Sequence, residues 1–503
     1  MLNNTDAGWP QKPLSEVVDL NPRLDKSAYR DDLEVSFVPM AAVEAGSGRM
    51  EVSQTKDFGT VKKGYTPFRE SDVLFAKITP CMENGKMAVV PKLTNGLGFG
   101  STEFHVLRPR PDIEPRYVYH FVSNLSFRRE AAHYMSGAVG QKRVPTSFLE
   151  DALIPVPPFG QQKLIVAEIE KQFSRLDEAV ANLKRVKANL KRYKASVLKA
   201  AVEGKLTQDW RKQHPDVEPA SKLLERILAE RRAAWEQAEL DKMKLKGRVA
   251  INDQWKNRYK TPMKLDEDDY ETTPSSWVQV SLDSIASLIT DGKHGDCSDE
   301  PGSGYYFLSA KDVHGGQLHY SEARQIDKDE FMEVHYRTNL ELNDVLITNA
   351  GTIGRVAVAK DRYKLPFTTF QKSVAIIKPT KASVSSVFLA YYLEANVAKM
   401  QAKSAGTAVK NLLLSTLKAA RFCLPSRDEQ LEIVAEVERR LSVIDELEVT
   451  VKANLTRANR LRQSILKRAF EGKLIKTEPP QRSDFPHELS LAAESSSSYG
   501  GTR

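Results

Sequence analysis

The chain is poor in cysteine: three residues in 503, Cys81, Cys297 and Cys423, far apart and odd in number. No disulfide framework can be built from them, as expected for a protein of a reducing cytoplasm. The opening MLNNTDAGWPQKP has neither a basic stretch nor an apolar one, so no secretory signal is read there. No apolar run approaches the length of a membrane span. A phosphate-cradling G-x-x-x-x-G-K-[ST] loop is missing, and GLGFG (Gly96–Gly100) lacks the strand and helix that a dinucleotide site needs. VPPF (Val156–Phe159) has the prolines of an amino-methyltransferase motif, but valine cannot accept a hydrogen from a target amine. It reads instead as a stiffened entry to a helix. His294, Cys297, His314 and His319 are too loosely spaced for a zinc site. No acid pair, nucleophile or nuclease constellation is present in both halves of the chain.

What is present is a repeat. EGKL occurs at Glu203–Leu206 and again at Glu471–Leu474, 268 residues later. From Gln162 to Leu206 that offset gives 19 identities in 45 positions without a gap, including IVAEIE (Ile165–Glu170) over IVAEVE (Ile433–Glu438). Upstream the likeness is looser: Trp9 with Trp277, FVPMAAV (Phe37–Val43) with FLSAKDV (Phe307–Val313), DVLFAKI (Asp72–Ile78) with DVLITNA (Asp344–Ala350). A period this long is a duplicated domain rather than a solenoid. The chain therefore reads variable unit, near-constant unit, variable unit, near-constant unit.

The near-constant units carry apolar residues at steps of three and four. One series is Ile169, Phe173, Leu176, Val180, Leu183, Val186, Leu190, Tyr193, Val197. The other is Ile433, Val437, Leu441, Ile444, Leu447, Val451, Leu455, Ala458, Leu461, Ile465. This spacing predicts two coiled-coil helices of roughly 40 residues, each about 60 Å long. Gly204 and Gly472 stand where a helix end accepts positive φ. Glu429–Glu448 holds seven acids and Asn182–Lys205 eight bases, which favours antiparallel pairing. The variable units, with short β-branched runs between Gly and Pro turns, read as α+β, with helices over Pro115–Met135 and Val387–Lys403. Residues 208–274 have no counterpart and include a helix over Ser221–Lys242 and the acidic KLDEDDYETTP. The end, LAAESSSSYGGTR, is low in complexity and expected to be disordered.

Net charge is +8 with a pI of about 9.0, a balance that favours a polyanionic partner. Polar and basic residues recur among glycines at equivalent unit edges. KITPCMENGK (Lys77–Lys86) matches TNAGTIGR (Thr348–Arg355), and GQKRV (Gly140–Val144) matches AVKNL (Ala408–Leu412). Asn, Gln, Thr, Lys and Arg on loops are the side chains that read base edges and hold phosphates.

The helix openings PVPPFGQQKLIVAEIE and LPSRDEQLEIVAEVE, the two EGKL endings and the run DGKH…GYYFLSAKDV…DVLITNAGTIGRVAV resemble the specificity subunit of type I restriction–modification enzymes. The resemblance implies an α+β fold: two α+β target-recognition domains joined by two long antiparallel coiled-coil helices, with a pseudo-twofold internal repeat. It implies recognition domains at 1–158 and 275–425, conserved helical regions at 159–207 and 426–475, a helical insert and linker at 208–274, and a tail at 476–503. Each domain would read half of a bipartite target in double-stranded DNA. The chain would have no catalysis or cofactor of its own. It would dock two methyltransferase subunits that use S-adenosylmethionine and, in a system that also cuts, two restriction–translocase subunits that use ATP and magnesium. DNA-contact candidates are then Lys77, Thr79, Asn84, Lys86, Gln141, Lys142 and Arg143 in the first half. Asn349, Thr352, Arg355, Gln371, Lys372 and Lys410 are those of the second. Two other classes remain open on the residues alone: a stand-alone DNA-modifying enzyme such as a fused methyltransferase, and a coiled-coil assembly protein without a DNA role.

Overall fold

The computed structural model describes residues 8–138, 140–265, 272–381, 383–403 and 411–475. Its contacts divide the chain into two units, Met1–Leu183 with Ala453–Arg503, and Lys184–Lys452. The cuts fall inside two helices of 44 residues each, Phe159–Val202 and Arg427–Phe470, so each unit holds a half of both. Asp177 pairs with Arg462 in the first unit while Tyr193 lies near Arg439 in the second, so rising numbers on one helix meet falling numbers on the other. The two run antiparallel. Arg462 also covers the ring of Phe173.

The seam is narrower than the apolar spacing suggests. Ile169, Val197, Ile433, Val437, Ile444 and Val451 are buried. Val186, Tyr193, Leu447 and Leu461, assigned to the same seam, are 43–49% exposed. The charged segments also pair largely along their own helix, Glu436 with Arg439 and Arg440, Glu203 with Lys199 and Lys205. Charge bias along each helix accounts for much of that pattern.

Both helices end in the same way, which explains the repeated EGKL. Gly204 and Gly472 have φ of 70° and 78°. The N–H of Lys205 reaches Ala200 O and that of Gly204 reaches Ala201 O; Lys473 reaches Arg468 O and Gly472 reaches Ala469 O. This is a Schellman end, which satisfies carbonyls the helix leaves open and needs a residue at ease with positive φ.

The helix openings are also equivalent. Gln162 accepts from Glu114 N (2.9 Å) and donates to Pro157 O (2.9 Å). Gln430 accepts from Ser385 N (2.8 Å) and donates to Pro425 O (3.2 Å). Each glutamine is buried and ties the long helix to the start of a shorter one and to the proline segment before it. VPPF thus serves as helix entry.

Each unit holds a four-stranded antiparallel sheet of the same order. In the first it runs Val18–Leu20, Phe104–Pro109, Val73–Ala76, Met87–Val89; in the second, Ala286–Asp291, Val374–Pro379, Val345–Thr348, Val356–Val358. A second sheet in each contains one parallel pair, Glu34–Val38 with Leu97–Gly100 and Tyr306–Leu308 with Thr368–Phe370. VLFA and VLIT are buried throughout because they are central strands covered on both faces. Helices cover one face: Pro115–Val122 and Leu125–His133 in the first unit, Ser386–Lys403 in the second. The single helix expected over Pro115–Met135 is two, broken where the Asn124 side chain caps Ser126 N. The insert helix is Ala220–Leu245, held to the second unit's core by Leu223 and Ile227. Most of the acidic linker and the low-complexity end lie outside the described residues.

Within GLGFG, Leu97–Gly100 form a strand, and its glycines make room for a ring. A Cβ on Gly98 would sit 2.3 Å from Phe68 Cε2, and Phe68 is fully buried. Gly98→Ala is therefore expected to cost about 1–3 kcal/mol by overpacking. Urea unfolding checks this, and Phe68→Leu in the same chain should restore most of the loss.

Candidate nucleic-acid interface

The candidates of the first unit, far apart in sequence, meet at one end of its sheet. The chain leaving Val73–Ala76 runs alongside the closing stretch: Thr79 N donates to Lys142 O (3.0 Å) and Val144 N to Lys77 O (2.9 Å). Buried His105 fixes that stretch to the sheet, its Nε2 against Val144 O (2.9 Å) and its Nδ1 against the Asn21 amide (3.1 Å). Burial lowers its pKa, and the two bonds suit a neutral ring. Gln141, Lys142 and Asn84 are exposed, while Lys77, Thr79 and Lys86 are half-buried. Thr79 Oγ1 donates to Glu83 Oε1 (2.8 Å).

Arg143, also a DNA-contact candidate, has a partner within the chain. Its guanidinium grips the Glu103 carboxylate with two bonds, Nε to Oε2 (2.9 Å) and Nη2 to Oε1 (2.7 Å). Those hydrogen bonds hold the Glu103 pKa below the usual carboxylate range and raise that of Arg143. The pair braces the closing stretch.

The second unit repeats the arrangement. Leu412 N donates to Asn349 O (2.8 Å), the counterpart of the Val144–Lys77 bond. Asn349 N reaches Ser373 O (3.0 Å), Gln371 N reaches Leu308 O (2.9 Å), and Lys372 N reaches Lys293 O (2.9 Å). So Asn349, Gln371 and Lys372 share one edge with the DGKH segment. Gly292 of that segment can only be glycine, since a Cβ would fall 1.9 Å from Phe370 O. Thr352 and Lys372 are exposed; Asn349 is buried, its Oδ1 without a partner among the described residues. Lys410 lies outside the described residues.

Lys86 and Arg355 turn out to be equivalent. Lys86 Nζ donates to Met40 O (2.9 Å) and Arg355 Nη1 to Ala310 O (3.2 Å). Met40 and Ala310 each begin a short turn that leads into a hairpin, closed by Val43 opposite Met50 and by Val313 opposite Leu318. Sequence reading passed over both hairpins. A signal was there, in the glycines of EAGSGRM and HGGQL between β-forming residues.

His294 pairs with Asp291 (3.0 Å), Cys297 is buried, and His314 stacks on His319 with ring centres 3.6 Å apart. Among the described residues no group of three or more His, Cys, Asp or Glu is placed to hold a metal ion. Among them, too, no helix is long and apolar enough to cross a membrane.

Two equivalent α+β units share the antiparallel helices, and each carries a loop edge bearing amides and cations, the side chains suited to a nucleic-acid interface. The profile of the type I restriction modification DNA specificity domain matches residues 7–192 and 274–457, and the chain belongs to that family. It is thus a non-catalytic specificity subunit that recognises DNA sequence through two domains. It is 27% identical to the type I restriction enzyme EcoEI specificity subunit of Escherichia coli, over 88% of this chain and 79% of that one. To the EcoAI specificity subunit of the same organism it is 28% identical, with the same coverage. The fold is like that of the HsdS subunit from Thermoanaerobacter tengcongensis (TM-score 0.52, 18% identity, 94% and 98% of the two chains). A chain from a study of complex assembly and conformational transition of the type I R-M system has a TM-score of 0.62 (20% identity, 94% and 100%).

Proposed function

We propose that the first variable unit, 1–158, and the second, 275–425, each read one half of a bipartite duplex target. The helical regions 159–207 and 426–475 set the spacing of the halves and dock two methyltransferase subunits. The observation that supports this is the matched pair of loop edges, Lys77 with Val144 and Asn349 with Leu412, each carried by the same sheet order. Two equal helical surfaces suit two copies of one partner. In this reading S-adenosylmethionine belongs to the methyltransferase subunits. ATP and magnesium belong to restriction–translocase subunits, two of them where the system also cuts. The complex works in the cytoplasm, where its DNA is.

Within each edge the residues divide by what they already hold. Lys142 and Lys372 are exposed on loops and suit phosphate binding, with Asn84, Gln141, Thr352 and Gln371 beside them at the base edges. Arg143, Lys86 and Arg355 position the backbone that carries them.

Methylation-sensitive sequencing of the host genome tests the reading: a single motif of two specified halves and an unread gap is expected. S-adenosylmethionine bound tightly by the purified chain would contradict it. Lys142→Ala with Lys372→Ala should weaken binding alike on all sequences and reduce the salt slope by about one for each phosphate that is no longer neutralised. Gel shifts at several salt concentrations check this, and the methylated motif should stay the same.

A further inference from the structure

The hairpins Val43–Met50 and Val313–Leu318 occupy the same place in the two units, and each is fixed from two sides. From below, Lys86 and Arg355 hold the turns that lead into them. At the tips, Gly46 N donates to Gly85 O (2.9 Å), and Gly316 pairs with Ala357. Glu44 N donates to Arg49 O (3.0 Å) across the first; His314 pairs with Gln317 across the second. In the second the turn is Gly315–Gly316, with φ of 60° and 75°, the tight form that suits a two-residue hairpin. A side chain on such a ribbon is carried by braced backbone rather than by a loose loop.

One position on each ribbon stands out. Arg49 precedes Met50 and Gln317 precedes Leu318, the residues that close the two hairpins, so Arg49 and Gln317 are equivalent. Both are exposed, and neither side chain has a hydrogen-bond or ion-pair partner among the described residues. Arg143, by contrast, is committed to Glu103. The major groove admits a two-stranded ribbon, and there Arg makes two bonds to guanine O6 and N7 while Gln makes two to adenine N6 and N7.

We propose that these hairpins enter the major groove, Arg49 specifying a G·C pair in one half-site and Gln317 an A·T pair at the corresponding place in the other. The inference rests on the bipartite reading proposed above and adds the residues that choose one base in each half.

The test uses the full chain assembled with its methyltransferase subunits, in cells carrying Gln317→Arg, Arg49→Gln, or the alanine form of either. Methylation mapping should show one position of one half changing, toward G·C for Gln317→Arg and toward A·T for Arg49→Gln. The other half and the gap should stay as they were. The alanine forms should lose discrimination at that position on the order of ten- to a hundredfold in gel shifts against duplexes carrying each of the four base pairs there. Such gel shifts also decide the matter for a variant that no longer methylates. An unchanged ranking of the four pairs, or uniform weakening on every sequence, overturns the inference and makes these side chains phosphate ligands or bystanders. A wild-type complex whose motif is not bipartite would instead sink the proposed function, so the two failures are told apart.

Discussion

Four residues inserted after Leu183 in the helix Phe159–Val202 are expected to widen the unread gap of the DNA target and leave the bases it reads unchanged. The insertion adds about 6 Å of helix. A base pair occupies about 3.4 Å of duplex, so the gap should grow by about one or two base pairs, two if all the added length is transmitted. The site is chosen on structural grounds. Val186 and Tyr193, just beyond it, are 43% and 49% exposed, whereas the ends of the helix are anchored by buried Ile165, Ile169, Val197 and Leu198. Four residues also turn the helix by little more than one full turn, so the side chains beyond the insertion keep nearly their original faces. Methylation mapping of the variant measures the gap directly. An unchanged gap in an active complex would show that the helices join the readers without spacing them.

The duplicated helices were legible because their constraints are local. A Schellman end needs glycine, and a buried stripe needs apolar steps of three and four. Gly204 and Ile169 each announce one of these, and their counterparts Gly472 and Val437 stand 268 residues on; Gln162 recurs as Gln430, but its clasp to Glu114, 48 residues away, shows only in the fold. Where a constraint was not local, the reading slipped. Val186 and Leu447 have the spacing of a seam, yet the partner helix does not cover them, and periodicity alone cannot show the difference. The break between the helices ending at Val122 and beginning at Leu125 depends on one asparagine cap inside an otherwise helical pattern.

The candidate interface shows the same division. Sequence placed Lys77–Lys86 and Gly140–Val144 at unit edges from glycine and composition, and the fold brings those stretches together. It could not tell which cations are spent within the chain. Arg143 lies against Glu103 through a sheet whose strands are far apart in sequence, and Lys86 and Arg355 reach carbonyls more than forty residues away. Arg49, with no such partner, carried no mark beyond the glycines around it. Exposed cations without internal partners are the stronger candidates for DNA contact, and that property shows only in the folded chain.

The other large effect expected lies where the copies differ. The residue before the clasping glutamine is Gln161 in the first copy and Glu429 in the second. Glu429 is 2% exposed and accepts from Trp277 Nε1 (2.8 Å) and Thr207 Oγ1 (2.7 Å), and it pairs with Arg211. Arg211 also donates to Gly204 O (2.6 Å), at the end of the other long helix. One carboxylate in a helix's first turn, where negative charge is favoured, thus holds the start of one helix, the end of the other and the tryptophan that opens the second variable unit. Glu429→Ala leaves a largely buried guanidinium without its counter-charge and an indole N–H without its acceptor, and is expected to destabilise the chain by about 3–5 kcal/mol. Glu429→Gln should recover little of this, because its amide group would face donors on one side or the other. Trp277→Phe, which removes one donor and keeps most of the packing, should cost less than either, about 1–3 kcal/mol. Urea unfolding of the three variants gives the order. In an Arg211→Ala background Glu429→Ala should lose a large part of its effect, since the stranded cation is then gone. A cost below about 1 kcal/mol for Glu429→Ala in the intact chain would mean that packing around Trp277 and Ile433, rather than the carboxylate, holds the helix ends together.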